Sequence, residues 1–369
     1  MPAGFPTPNT ASERLAIGGP PRDPGSLAWA RPGPYIAPQW TDFELNSFAR
    51  NQRLATTYYF YWDDYTNRPP TARSPGSQFD SPPDPAHYSF LLPQTHLRQF
   101  QDMADAGLDF VLPVYWGEPG HPGRTTAETA PHYWSTEGIP PMVEALDQLH
   151  AQGGPALQIG MFYDTTILAN ADLTTPNGKE YFYVNVRDYF SRIPPKYWAA
   201  IDGKPIVWLY DTAWVSRFDQ SSIDYLSNRF AQDFGGLRPY IVLEDQWQHG
   251  KGVLPPQTLH ADGLYVWGAG VSGYNADSRF TVAEVGPGFR NTGYCKGGPA
   301  QNCFDISRQG GAFYQRQLQQ AVASRHNILA VETWNEFSEG TDVSETVQYG
   351  RQYIDLTRRY ADLFKGVKG

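Results

Sequence analysis

Two kinds of hydrophobic spacing alternate along the chain. Short, nearly continuous apolar runs occupy Ala55–Trp62, Leu108–Trp116, Ala156–Tyr163, Pro205–Tyr210, Pro239–Leu243, Leu264–Trp267, Phe280–Val285 and Ile328–Thr333. Runs of this kind predict strands buried on both faces. Most of the intervals between them repeat apolar residues at helical spacing. Leu97, Phe100, Met103 and Ala104 form one such stripe, closed by Gly107. Pro140-Pro141 opens the next, with Met142, Leu146 and Leu149, and Gly153 stops it. Lys179–Ile193 and Gly311–Arg325 are predicted helical; Ile223, Leu226, Phe230 and Phe234 precede a Gly235-Gly236 stop. Tyr353, Leu356, Tyr360 and Leu363 mark a last helix. Residues 1–50, rich in Pro, Gly and Ser, lack such periodicity and predict an extended arm.

Eight strands alternating with helices predict an α/β protein with a parallel sheet. That number favours closure into a (β/α)8 TIM-type barrel over 51–369, a single domain preceded by the arm at 1–50. Barrels of this kind run well past the usual domain size. No G-x-G-x-x-G follows a strand, so a dinucleotide site has no support. Composition narrows the partners. A formal net charge of −9 argues against nucleic acid and anionic membrane surfaces. No apolar run approaches the ~18 residues that span a bilayer. The 11 Trp and 23 Tyr suit a ligand with apolar C–H faces, such as a sugar, although most of these rings must serve packing. Cys295 and Cys303 sit close together in a Gly-rich loop, either as a disulfide or as two thiols; no nearby His makes them a zinc site. Few Cys and Met with 35 Gly and 32 Pro suit an extracellular or periplasmic protein. The N-terminus does not read as a signal peptide, so export implies a leader absent from this chain.

Polar and aromatic residues gather at the C-terminal ends of the predicted strands. They are Tyr59, Tyr61, Asp63 and Asp64, then Trp116 and Glu118, Tyr163 and Asp164, Asp211, Glu244 and Asp245, Trp267, and finally Glu336 and Glu339. In a (β/α)8 barrel those ends converge on the catalytic face. Each single carboxylate could equally be a helix N-cap. Asp63-Asp64 could help hold a cation such as Ca²⁺, which needs more oxygens than two residues offer. Trp116, Tyr163 and Trp267 are either stacking platforms or barrel packing. Arg290, after Gly286-Pro287-Gly288-Phe289, is either a sugar ligand or a structural ion-pair partner.

The last strand end differs in kind. Glu336 and Glu339 are three residues apart in Trp334-Asn335-Glu336-Phe337-Ser338-Glu339-Gly340-Thr341. On a helical turn that spacing puts two Cβ atoms about 5–6 Å apart. Two carboxyl groups act on one glycosidic bond on that scale, one protonated and one charged. Trp334 and Phe337 offer an apolar wall, and Asn335 a hydrogen bond to substrate or to a Glu. Spacing alone also fits a solvated acidic loop capping the last helix.

W-N-E-F-S-E-G-T resembles the W-N-E-W-x-E-G-T signature of the clan containing glycoside hydrolase family 99, the endo-α-mannosidases. Thr57–Trp62, Gly107–Trp116, Gly203–Val207 and Gly286–Phe289 resemble that family's first, second, fourth and seventh strand segments, so the likeness runs over about residues 55 to 345. It implies a (β/α)8 barrel that needs no metal or other cofactor and acts on an oligo- or polysaccharide with retention of configuration. It also implies the roles. Glu336 would draw the proton from the sugar 2-hydroxyl, which attacks the anomeric carbon; Glu339 would be the general acid, then the base. Phe337-Ser338 stands where the family usually has Trp-His, the Tyr65–Tyr88 loop is long and Pro-rich, and Cys295–Cys303 reads as an insertion. These changes border the substrate, so the expectation is sugar hydrolysis rather than mannose in particular. Two other classes compete: a non-catalytic carbohydrate-binding barrel, and a metal-dependent hydrolase using Asp63, Asp64, Asp164 and His. The eight His show no H-x-H or H-E-x-x-H spacing.

Overall fold

The structure, a computed structural model, describes residues 36–66, 80–117, 134–154, 157–212, 215–249, 258–290 and 305–367. Each of the eight predicted strands is present. They are β1 (Leu54–Tyr59), β2 (Phe110–Tyr115), β3 (Gln158–Ile159 and Met161–Tyr163, parted at Gly160), β4 (Lys204–Leu209), β5 (Tyr240–Glu244), β6 (Gly263–Tyr265), β7 (Val282–Val285) and β8 (Ile328–Val331). The chain divides into two compact units: Arg50–Pro113 with Pro140–Ile159 and Tyr265–Gly369, and Met1–Ala49 with Val114–Ile139 and Gly160–Leu264. No helix among the described residues is long and apolar enough to cross a membrane.

In the first of these units β7, β8, β1 and the start of β2 are neighbours, all parallel, with Val282 opposite Ile328, Ile328 opposite Leu54 and Tyr58 opposite Leu112. Every residue of β1 is buried, as its apolar run requires. The strand stops at Tyr59, short of the predicted Trp62, because the Asn335 side chain takes over the next backbone groups. Its Oδ1 accepts from Phe60 N at 2.8 Å and its Nδ2 donates to Phe60 O at 2.8 Å. The start of β1 is anchored by Arg53, whose guanidinium donates to Ser324 O at 2.7 Å and His326 O at 3.2 Å and lies over the Phe364 ring at 3.9 Å. Cations are favoured beside these orphan carbonyls at a helix C-terminus. On the last helix, Gln352–Lys365, the buried stripe is Tyr353, Ile354, Thr357, Tyr360, Ala361 and Phe364. Leu363, predicted to be inside, is exposed. A 3.6-residue period continues from Tyr353 and Tyr360 to Phe364, and Leu363 falls past the edge of that stripe.

In the other unit the end of β2 pairs with β3, β3 with β4, and β4 with β5, again all parallel; β6 pairs with β5. Helix Pro176–Arg192 starts with Pro in its first turn and Thr175 as cap, and Gln220–Asp233 starts with an Asp219–Ser222 capping box. The two helices meet over an aromatic cluster. The Phe190 ring lies 4.9 Å from Trp198, 5.2 Å from Phe230 and 6.4 Å from Phe234. Residues 36–49 of the predicted arm run beside the first helix: Ile36 N donates to Asp188 Oδ1 at 2.6 Å and the Trp40 indole to Phe190 O at 3.0 Å. Residues 1–35 of that arm lie outside the described residues.

Phe190 is fully buried. Phe190→Ala is expected to lower the unfolding free energy by about 3–5 kcal/mol through lost burial and the cavity left behind, measured by urea denaturation.

Candidate active site

The Trp334–Thr341 segment is a closed loop. Thr333 N donates to Thr341 O at 3.0 Å, and the two threonine hydroxyls are 3.0 Å apart. Val343 N returns to Thr333 O at 3.1 Å, and Ser344 N to Trp334 O at 2.9 Å. The loop is anchored inward by its first two residues. Trp334 N donates to Tyr58 O at 2.9 Å, and its indole donates to Gln99 Oε1 at 2.6 Å. Asn335 Nδ2 donates to Tyr88 Oη at 2.8 Å as well as to Phe60 O. Both side chains are fully buried, and their polar atoms are committed to the protein. Asn335 is therefore a fixing residue of the loop, not the substrate ligand anticipated, and Trp334 is a core residue.

Glu336 and Glu339 stand at the two ends of one tight turn. The predicted helical turn is absent; instead Glu339 N donates to Glu336 O at 3.3 Å, closing a β-turn over Phe337 and Ser338. Glu336 is 4 % exposed, its Oε1 accepts from Ser338 N at 3.1 Å, and its own N–H is held by Thr333 Oγ1 at 3.0 Å. Glu339 is half-buried, and burial pushes its carboxyl up to about 7. Phe337 packs with Tyr65 and Tyr88, walling one side.

A buried cation holds the far limb of the loop. Arg308 donates to Gly340 O at 3.0 Å, Asp342 O at 2.8 Å and Asp342 Oδ1 at 3.0 Å, and reaches Asp80 Oδ2 at 3.4 Å. Tyr349 and Tyr353 cover its guanidinium at 4.5 and 4.6 Å. The Asp342 carboxyl is pushed well up by burial and by Asp80, against the pull of Arg308. Arg290 joins the loop from the other side: its N–H donates to Glu339 O at 2.7 Å, and its side chain lies against Gly340, where an added Cβ would stand 3.2 Å from Arg290 Cδ.

The remaining candidates fall into two groups. In the unit that holds the loop, Trp267 is half-buried with its ring 5.0 Å from Tyr58, whose hydroxyl donates to Glu284 Oε1. Asp63 is buried. Asp64 Oδ1 accepts from Thr66 N and Oγ1 at 3.1 and 2.6 Å, which makes it a turn residue. Tyr59 and Tyr61 are buried, packed with each other and with His96. They are core residues rather than the substrate ligands expected. Burial lowers His96 to about 4. The neutral ring therefore donates from Nε2 to Phe90 O at 2.8 Å and accepts at Nδ1 from the Tyr59 hydroxyl at 2.9 Å.

In the other unit Trp116 is half-buried, stacked on Trp134, with its indole donating to Thr166 Oγ1 at 3.1 Å. Asp164 caps the turn Thr165–Leu168 by accepting from Thr166, and Asp211 O accepts from Thr165 Oγ1 at 2.6 Å. Glu244 Oε2 accepts from Gln246 N at 2.7 Å, an N-terminal turn contact. Tyr163, expected as a platform, is fully buried, stacked on Phe182 and bonded to Asn185. Glu118, Cys295 and Cys303 lie outside the described residues. Among the described residues no group of three or more His, Cys, Asp or Glu is arranged to hold a metal ion.

A residue missed at the sequence level is Glu332. The hydrophobic pattern places it inside the last strand, but its carboxylate is buried and accepts from Gly268 N and Ala269 N at 2.8 Å each. Burial, opposed by these bonds and joined by the nearby Glu339 charge, raises it to about 7. The signal in the sequence is a carboxylate at a strand end, as at the other strands.

A family model described as a domain of unknown function, DUF5010, matches residues 91–366. The chain belongs to the DUF5010 family. It is also similar to a glycoprotein endo-α-1,2-mannosidase-like protein from Mus musculus, 23 % identical over 190 residues that cover 43 % of this chain and 41 % of that protein. To the protein so named from Homo sapiens it is 27 % identical over 112 residues, 27 % of this chain and 24 % of that one. The matched part thus spans less than half the length of these relatives. The fold is similar to that of the GH99 endo-α-mannosidase from Bacteroides thetaiotaomicron, with a TM-score of 0.59 at 14 % identity over 87 % of this chain and 99 % of that chain. At such identity the likeness is one of fold.

Two outcomes follow for this DUF5010 chain. Arg308→Met strips the buried carboxylates of their cation and is expected to reduce stability by about 3–5 kcal/mol in urea denaturation. Because the Glu332 and Glu339 carboxyls are raised in the folded state, their stabilising protonation is fully present below the unfolded value and is lost as pH rises through about 7. Glu339→Gln is therefore expected to raise the melting temperature at pH 8 and to leave it nearly unchanged at pH 4, read by calorimetry.

Proposed function

We propose that this chain is a glycoside hydrolase acting on a polysaccharide or glycan, with the strands closed as a (β/α)8 barrel and Glu336 and Glu339 as its catalytic pair. The observation that carries the proposal is the pinned turn, which has a glutamate at each end and a buried environment that raises the carboxyl of Glu339 to about 7. A general acid must be protonated at working pH, and burial keeps a carboxyl in that form. Glu336, accepting from the Ser338 N–H, is fixed in a different environment. Different environments let two carboxyls hold opposite protonation states. The fold likeness to a GH99 endo-α-mannosidase and the mannosidase-like relatives support the same reading.

In the proposed reaction Glu339 gives its proton to the glycosidic oxygen as the bond to the anomeric carbon breaks. Glu336 removes the proton of the sugar 2-hydroxyl, whose oxygen attacks the anomeric carbon from the opposite face and forms an epoxide-like intermediate. Water then opens the intermediate: Glu339 takes its proton, and Glu336 returns one to the 2-oxygen. Two inversions retain the configuration. Trp267, half-buried beside Tyr58, is the proposed platform for a sugar face.

A polysaccharide and glycan panel assayed for reducing ends tests the proposal. Glu336→Gln and Glu339→Gln are each expected to lower kcat by about 10²–10⁴-fold. Activity should fall above pH 7 as Glu339 ionises, and product NMR should give the retained anomer. Full turnover by Glu339→Gln on a cleaved substrate would sink the assignment, and glycan affinity without any release of reducing ends would replace it with a binding role.

A further inference from the structure

Glu332 is unusual among the carboxylates near the loop because its partners are backbone groups of another segment. It follows the last residue of β8, and its own N–H continues the strand by donating to Val285 O at 2.8 Å. Its side chain reaches sideways to Gly268 and Ala269, the residues directly after Trp267. The surroundings are built tightly around this contact. Gly268 has φ 108°, a conformation that side chains resist. A Cβ on Gly270 would meet Gly288 O at 2.9 Å and Thr341 Cγ2 at 3.2 Å, and one on Gly286 would meet Gly270 N at 2.5 Å. Segments 268–270, 286–288 and the loop end at Thr341 therefore converge on one carboxylate, with glycine wherever a side chain would hold them apart. A carboxylate buried to 2 % exposure is costly unless such bonds satisfy it.

The arrangement also has a direction. One end of the Glu332 backbone opens the loop that carries Glu336 and Glu339. The other end of its side chain holds the residue next to Trp267, whose half-buried ring borders Tyr58. Both the Gly268 and the Ala269 amides end on this carboxylate, so it ties the segment directly after the ring to the start of the glutamate loop. We propose that Glu332 is a positioning residue, which sets the place of the Trp267 ring relative to the Glu336–Glu339 turn. This rests on the glycosidase reading only for its consequence in catalysis; the placement of Trp267 is independent of it.

Both parts can be measured on the full chain labelled with 5-fluorotryptophan, the Trp267 fluorine resonance being assigned with Trp267→Phe. Glu332→Leu removes the Oε2 acceptor that the two amides share and is expected to shift or broaden the Trp267 resonance while that of Trp334 stays in place. Glu332→Gln keeps one acceptor oxygen, so the Trp267 resonance is expected close to that of the parent. Charge-assisted bonds are about twice as strong as neutral ones, so hydrogen exchange at Gly268 and Ala269 should quicken in Glu332→Gln by roughly ten-fold. If Glu332→Leu fails to fold, the exchange measurement on Glu332→Gln decides alone. On a polysaccharide that the parent cleaves, Glu332→Leu should raise KM by about ten-fold or more, with kcat changing by less than about three-fold, and Glu332→Gln should restore KM. This split is that of an interaction felt equally by bound substrate and transition state. An unmoved Trp267 resonance in Glu332→Leu, or unchanged exchange in Glu332→Gln, overturns the proposal. Absence of turnover by the parent on every glycan would overturn the glycosidase reading instead and leave the fluorine and exchange results standing.

Discussion

The geometry of the candidate site depends on a single amide side chain that imitates a strand. Asn335 offers Phe60 both an acceptor and a donor, each at 2.8 Å, in the place where a neighbouring backbone would otherwise pair. With a further bond to Tyr88, the carboxamide is satisfied inside the protein at full burial. An unpaired buried amide is strongly unfavourable, so the loop has one seat rather than several. Glu336 follows directly and inherits that position.

Around this seat, rigidity is supplied by different chemistry on each side. The threonine pair Thr333–Thr341 closes the loop base. Arg308, covered by two neighbouring tyrosines and held by two aspartates, fixes the returning limb through the carbonyls of Gly340 and Asp342. Phe337 fills the space by Tyr65 and Tyr88. A β-turn between fixed limbs carries the two glutamates, and burial raises the carboxyl of Glu339. That is how a chain of ordinary carboxylates obtains one with acidity near neutral pH.

Much of the fold is legible in the sequence. Eight apolar runs correspond to eight strands, because strands buried on both faces are predominantly apolar. Glycine and proline stops mark helix ends for local backbone reasons. The errors have particular causes. β1 ends at Tyr59 although the aromatic run continues to Trp62, since a side chain remote in sequence competes for the backbone of Phe60. Leu363 matches helical spacing but lies on the wet side, since small shifts in phase accumulate along a helix.

For the site, the linear order of residues already displays the chemistry on offer: a strand-end segment with two glutamates three residues apart, set among aromatic and small residues. Folding selects which residues are available for it. Asn335, Tyr59, Tyr61 and Tyr163 look like ligands in one dimension and are consumed by packing and hydrogen bonds in three. Glu332 looks like the end of a strand and proves to be a buried carboxylate bound to the backbone beside Trp267. Spacing along a chain reports which residues can meet within one element. Whether a polar atom is spent on the protein or left for a substrate depends on neighbours from other elements, and those only the fold brings together.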